Sequence, residues 1–379
     1  MTPSVVIFGT SGHAITHLRR ARRMHDEGRI VLAGVCDIHP PREPASSLLP
    51  VEAVIASDTS TLFSRVRPDI AVIATPPHAH LPLARAALEA GCHLLLEKPP
   101  VLDLASFAEL TGLAGRLGRA CQAGFQSFGS QAVPALRRVL REGVIGDLAG
   151  VSAAGAWVRP DQYFARTAWA GRRRVDGQAV VDGSLTNPFA HAVATALLLN
   201  GTAEILPERT AVELYRAREI ESDDTACARL SFAGAPDVVV AATLCAERDN
   251  EPYVLLHGSR GKARWHYKTD EIVVNGETVG VGPPVDLLDN LVRHVRDPAV
   301  PLVAPLASTR CFTALVEAVR DAPEPKAIPA EWVRAVGQGP ERRFVVPGID
   351  RNADTAADRM GLFSELGLPW TGAGFRACG

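Results

Sequence analysis

Cysteine is scarce and scattered: Cys36, Cys92, Cys121, Cys227, Cys245, Cys311 and Cys378 make up the full set of seven and never fall into a C-x-x-C pair. An odd number at wide spacing argues against a disulfide framework or a zinc ribbon and favours a reducing compartment. No charge of one sign dominates. With 40 basic and 42 acidic residues, the net charge of -2 leaves no global field to attract nucleic acid or an anionic membrane. No window approaches the roughly 18 uninterrupted apolar residues of a membrane span. The opening stretch MTPSVVIFGT enters an apolar run with no basic segment or cleavage signal before it. The expectation is a cytoplasmic protein with a small-molecule substrate and neither nucleic acid nor membrane as a partner. Internal repeats and low-complexity segments are also absent. What the chain does have is 47% hydrophobic and 22% charged residues over 379 positions, enough for two globular domains with substantial cores.

The first 123 residues alternate regularly. VVIFG (5–9), IVLAGVCD (30–37), IAVIAT (70–75) and HLLLE (93–97) are continuous apolar runs, the pattern of parallel strands covered on both faces. HAITHLRRARRMHDEG, DTSTLFSRV and LPLARAALEAG lie between them as helices, the last closed by Gly91. This series predicts an α/β domain over residues 1–123 built on a doubly wound parallel sheet. From about residue 124 the pattern turns to longer helices such as AVPALRRVLREG, then to β-rich runs such as VVVAATLCAE, YVLLHGS, KARWHYK and EIVVNGETV. These predict a second, α+β domain over residues 124–345, built on a largely antiparallel sheet. Residues 346–379 carry one more helical pattern that periodicity alone does not place.

Open α/β sheets bind ligands beyond the carboxyl ends of their strands, so the last residue of each strand is informative. After the first comes GTSGHA, with Gly9 for the tight turn, then Thr10, Ser11, Gly12 and His13 entering the helix. Free N–H groups and the positive helix end there can hold a pyrophosphate. Ser11 and Ala14 replace the second and third glycines of the usual fingerprint. The second strand ends at Asp37, whose carboxylate can accept hydrogen bonds from an adenosine ribose, which favours NAD; Arg42 downstream keeps NADP open. The next strand ends in TPPHAH, where Thr75 offers a hydroxyl and Pro76 stiffens the loop. His78 and His80 have no third ligand nearby, so no metal is expected. HLLLE brings Glu97 and Lys98 to the same edge. A lysine in a partly dry crevice has a lowered pKa and can exchange a proton near neutral pH. The competing reading is a capped surface pair.

The string TPPHAHLPLARAALEAGCHLLLEKP, preceded by GTSGHA and a strand ending in Asp37, resembles the Gfo/Idh/MocA family of nicotinamide-dependent oxidoreductases. The resemblance runs on through VLREGVIGDLAGV (139–151) and covers nearly the whole chain. It implies a dinucleotide-binding Rossmann domain over residues 1–123 followed by a domain with an open, largely antiparallel sheet, and hydride transfer between nicotinamide and a hydroxyl or carbonyl carbon of a sugar, sugar acid or cyclitol. It also implies a homo-oligomer, a homodimer or homotetramer, and Lys98 beside the nicotinamide and the reacting oxygen. The cofactor-binding set is then Gly9, Thr10, Ser11, Gly12, His13, Asp37, Thr75, Pro76, His80, Glu97 and Lys98.

The family's second landmark, Asp-x-x-x-His on a helix, matches DGSLTNPFAHAVATALLLNG (182–201), with Asn187 in place of the aspartate and His191 retained. Spacing of four puts both on one helix face. His191 is the candidate proton acceptor beside Lys98, with a backbone-satisfied core histidine as the competing reading. Asn187 cannot take a proton, and Asp182 is the candidate replacement carboxylate. Resemblance also brings Trp169 towards nicotinamide and substrate. The arginine-rich WVRPDQYFARTAWAGRRRVDG (157–177), Arg166 included, suggests a clamp for an anionic substrate, against a solvated loop. Gln126 completes the substrate-binding set. Two other classes stay open: a cofactor-binding regulator without turnover, and a lyase or glycosidase that recycles NAD.

Overall fold

The computed structural model describes residues 2–372. It divides into one unit of Met1–Gly129 with Val285–Thr309 and a second of Ser130–Pro284 with Arg310–Gly379. The expected division at residues 123 and 124 thus differs by six residues, and the expected second domain loses Val285–Thr309 to the first unit. The pull on that segment is visible at Gln122, whose side chain donates to the Leu287 carbonyl and accepts from the Ala304 N–H.

In the first unit, β1 (Ser4–Phe8), β2 (Val31–Cys36), β3 (Val54–Ala56), β4 (Ile70–Ile73), β5 (His93–Leu96) and β6 (Cys121–Ala123) form one parallel sheet in the order β3-β2-β1-β4-β5-β6. This is the doubly wound order of dinucleotide-binding sheets, with its reversal point between β1 and β4. Helices α1 (Ala14–Asp26), α2 (Ala45–Leu48), α3 (Thr59–Arg65), α4 (His80–Glu89) and α5 (Leu104–Leu117) connect the strands. Apolar runs covered on both sides are fully buried, as at Val5–Phe8 and Ile70–Ile73. Asp58 and Asp103 start α3 and α5 by accepting from Thr61 and Ser106 N–H groups. The three-residue β3 was not legible as an apolar run.

The second unit holds α6 (Ala132–Arg141), α7 (Asp161–Ala165), α8 (Ala190–Leu199) and a nine-stranded sheet. Its strands include β7 (Leu148–Val158) at the middle; the two-residue strands β8 (Arg174–Val175) and β9 (Gln178–Ala179) pair apart from it. The remaining strands are β10 (Arg209–Arg216), β11 (Thr225–Phe232), β12 (Ala235–Thr243), β13 (Cys245–Gly258), β14 (Lys262–His266), β15 (Glu271–Val274), β16 (Glu277–Val279) and β17 (Lys326–Ala327). Pairing is antiparallel except at β12 with β7 and β10 with β17. Alternation along β7 assigns its two faces. A Cβ at Gly155 would overlap the Phe189 ring ahead of α8, whereas Gly150 faces Met360 and Ala154 packs with Ala357. So α8 covers one face and the helix Ile349–Arg359 the other. That helix places the C-terminal pattern left open by periodicity, with Trp370 and Phe363 buried beside Tyr215. Residues 373–379, and with them Cys378, lie outside the described residues. The other six cysteines are buried and free; burial pushes the Cys36 thiol up to about 11 and those of Cys92, Cys121 and Cys311 to about 12.

Candidate active site

In the first unit the expected cofactor residues converge on the carboxyl edge of the sheet. Gly9 has φ +100°, and a Cβ there would stand 2.7 Å from the Ala74 carbonyl oxygen, so only glycine fits where β1 leaves beside β4. The turn continues through Gly12 at φ +55°. Ala14, Ile15 and Thr16 bond back to Ser11, Gly12 and His13 carbonyls, while no backbone hydrogen bond among the described residues engages the N–H groups of Ser11, Gly12 and His13. Those free donors at the start of a 13-residue helix make an anion cradle. Asp37 lies at the end of β2, with Oδ2 accepting from both the N–H and the hydroxyl of Thr10, each at 2.8 Å, and Oδ1 from the His39 N–H at 3.0 Å. It therefore braces the turn.

After β4, the Thr75 hydroxyl is buried without a hydrogen-bond partner among the described residues, a polar atom left for a ligand. His80 is 1% exposed, with Nδ1 2.8 Å from the Pro99 carbonyl and Nε2 2.8 Å from the Thr75 carbonyl. It ties the loops after β4 and β5 together, at the edge where the cofactor-binding residues are expected. Burial lowers its pKa, against the two carbonyls, which favour the charged ring.

Glu97 is the hub of this edge. Its Oε1 lies 2.9 Å from His17 Nε2 and 3.4 Å from His13 Nε2, and accepts from the Gln126 amide at 3.0 Å; Oε2 accepts from the Lys98 N–H at 3.1 Å. Burial would push this carboxyl up, but hydrogen bonds and charge from the two histidines outweigh it and hold it well below the usual carboxylate range. The same hydrogen bond raises His13 above the ordinary imidazole value, against desolvation and the charges of Lys98 and Arg20. Gln126, from the expected substrate-binding set, thus stands at this carboxylate through its Nε2. His17 was missed by the sequence reading, although its four-residue spacing from His13 carried the signal.

The second unit gathers a different set. Asn187 donates from Nδ2 to Asp182 Oδ1 at 2.6 Å; Asp182 Oδ2 accepts from the Gly171 N–H at 2.7 Å and stands 3.7 Å from the Arg166 guanidinium. Asp182, Asn187 and Arg166 are thus brought together, but Asn187 is not on the helix expected to carry it beside His191. It lies in the turn before α8, which begins at Ala190. Pro188 disfavours helical backbone at the residue before it. The preceding loop is fixed by Asp223, which accepts from the Ser184 N–H at 2.8 Å and its hydroxyl at 2.6 Å. Arg166 stacks on Tyr163 at 3.6 Å and lies 5.4 Å from the Trp169 ring. His191 sits in the first turn of α8, its ring 6.4 Å from that of Tyr267. The Tyr267 hydroxyl is buried and without a hydrogen-bond partner among the described residues, and burial raises its pKa. No local sequence signal marked this tyrosine, because it comes from the β14–β15 turn.

Most of the surplus arginines are occupied elsewhere. Arg173 donates to the Val319, Arg320, Ala322 and Pro323 carbonyls, Arg174 to that of Gly177, and Arg172 faces Glu221 at 3.9 Å. Arg159 stacks over Trp157 at 4.5 Å. Arg166 is the arginine whose guanidinium stands by the Asp182 carboxylate, at 3.7 Å.

Comparison with known proteins agrees with this architecture. The model of an oxidoreductase family with an NAD-binding Rossmann fold matches residues 4–125, and that of the GFO/IDH/MocA C-terminal domain matches residues 133–264. The uncharacterized oxidoreductase YdgJ of Escherichia coli is 32% identical over 208 residues, covering 55% of this chain and 56% of the relative. Mouse trans-1,2-dihydrobenzene-1,2-diol dehydrogenase is 29% identical over 219 residues, covering 57% and 61%. Escherichia coli D-glucoside 3-dehydrogenase is 28% identical over 117 residues, covering 31% and 33%. Each match spans less than two thirds of the curated relative's length. Among solved structures, the WlbA dehydrogenase of Bordetella pertussis, in complex with NADH and UDP-GlcNAcA, superposes with a TM-score of 0.68 at 19% identity, over 84% of this chain and 95% of that one. At that identity the likeness establishes the fold.

Proposed function

The chain belongs to the Gfo/Idh/MocA oxidoreductase family, with an NAD-binding Rossmann domain, and on that premise we propose that it is a nicotinamide-dependent dehydrogenase acting on a secondary hydroxyl of a sugar, sugar acid or cyclitol. The observation that carries this reading is the carboxyl-edge cradle: N–H groups of Ser11, Gly12 and His13 and a Thr75 hydroxyl that have no partner among the described residues, and Lys98 two residues past β5 at the same edge. These residues fit a dinucleotide. Its pyrophosphate goes to the turn before α1, its ribose to Asp37, and its nicotinamide end to the edge carrying Glu97 and Lys98.

A bound nicotinamide supplies the hydride-accepting carbon. The protein's part is orientation and proton handling. Lys98 holds the substrate oxygen and stabilises the negative charge that builds on it as the proton leaves. His191 accepts that proton. Asp182, with Asn187 and Arg166 arrayed on it, binds a neighbouring hydroxyl, and Trp169 lines the substrate side. Glu97 acts behind the site by fixing the turn before α1 and the Lys98 backbone. Support for a sugar-like substrate comes from relatives named as a D-glucoside 3-dehydrogenase and a structure holding UDP-GlcNAcA. NAD is the favoured cofactor because Asp37 would repel a 2'-phosphate. Homo-oligomerisation through the open sheet of the second unit belongs to the same proposal.

The experiment is a turnover panel of free sugars, nucleotide-linked sugars, sugar acids and cyclitols with NAD or NADP, read by accumulation of reduced cofactor. Turnover with one group identifies the substrate class. Confirmed dinucleotide binding with no turnover anywhere would instead point to a regulator or an NAD-recycling lyase.

A further inference from the structure

His13, His17 and Glu97 present one ligand atom each within 4.8 Å of one another, and they are the group of metal-ligand character found among the described residues. The two histidines are four residues apart at the start of α1, so the helix itself sets their spacing. Both turn Nε2 towards the same carboxylate oxygen, at 3.4 and 2.9 Å. The side chains of His17 and Glu97 are only 5% and 7% exposed, whereas that of His13 is 54% exposed. Two ligands are therefore held in the protein interior and the third opens to solvent, giving an entry path.

We propose that these three side chains bind a divalent ion of the zinc class, through two imidazole nitrogens and one carboxylate oxygen. A tetrahedral zinc with bonds of about 2.0–2.2 Å keeps neighbouring ligand atoms about 3.4 Å apart, so the observed spacings need to change by about 1.5 Å at most. Nitrogen-rich ligation selects zinc, cobalt or nickel over magnesium or calcium. The outer shell is in place: the Gln126 amide and the Lys98 N–H hold the carboxylate. Gly124 packs so closely beneath that a Cβ would fall 2.7 Å from the Glu97 carboxyl carbon. Such bonds fix ligand orientation and typically contribute 10- to 100-fold in affinity. The ion would tie the first turn of α1 to the end of β5. Metal binding there is measurable without turnover, although His13 and Glu97 also belong to the expected cofactor-binding set.

The test is equilibrium dialysis of tag-free, full-length protein against Zn²⁺ after chelator treatment, with the visible spectrum of the Co²⁺-loaded protein as a second readout. One equivalent bound, a tetrahedral Co²⁺ spectrum, and at least tenfold weaker binding in both His17→Gln and His13→Gln are expected. His13 is exposed, so His13→Gln remains informative if His17→Gln fails to fold. No stoichiometric binding, or binding retained in His13→Gln, overturns the proposal.

Discussion

Asn187 donates its side-chain N–H to the Asp182 carboxylate at 2.6 Å, so the amide that replaces the family's usual aspartate is paired with a carboxylate five residues earlier. In the proposed site this carboxylate takes the place of the replaced acid. Asn187→Asp would place two carboxylates at hydrogen-bond distance, one of which must take a proton or move away. Lower activity and a stability loss of about 1–3 kcal/mol are expected, measured by chemical denaturation alongside turnover. The double variant Asn187→Asp with Asp182→Asn restores the donor–acceptor pair in reverse and should recover most of the stability.

Asp37 sets cofactor choice in this account while also holding Thr10 through two 2.8 Å hydrogen bonds. Asp37→Ser should weaken NAD relative to NADP by about tenfold or more, since hydrogen bonds to a charged group are worth about 1.5–3 kcal/mol. Calorimetric titration with both cofactors checks this; an unchanged ratio removes Asp37 from the ribose site.

The Rossmann unit was legible because buried parallel strands write themselves as continuous apolar runs, and because turn chemistry at Gly9 and the E-K-P element is local in sequence. Two features escaped for physical reasons. The return of Val285–Thr309 to the first unit depends on long-range hydrogen bonds such as Gln122 to Leu287, which no local pattern encodes. Asn187 looked helical from its spacing to His191, but the proline between them delays the helix to Ala190. The Glu97 hub and Tyr267 arise from elements that meet only in the fold.

His13 gives a pH dependence with a defined sign. Its pKa is raised in the folded state by the hydrogen bond to Glu97. Its contribution to stability is therefore fully present below the ordinary imidazole value of about 6.5 and is lost as pH rises through the elevated folded value. In chelator-containing buffer, the wild-type protein should exceed His13→Gln in thermal midpoint at about pH 5.5 and lose that advantage by about pH 8.5. A pH-independent difference between the two would contradict this.

Tyr267 offers a buried hydroxyl with no partner among the described residues, beside His191. Tyr267→Phe removes an unsatisfied polar atom, so stability should stay level or rise by up to about 1 kcal/mol. If the hydroxyl meets the substrate, KM should rise by about tenfold. Differential scanning calorimetry and steady-state kinetics separate the two effects.

The most direct test of the central claim compares the wild-type protein with Lys98→Ala and His191→Ala under saturating substrate and cofactor. Turnover should fall by about 10²- to 10⁴-fold in each, the range for a lost proton-transfer group, while the NAD dissociation constant stays within a few-fold of wild type. Turnover unchanged in both variants would contradict the assignment of Lys98 and His191 to the reaction.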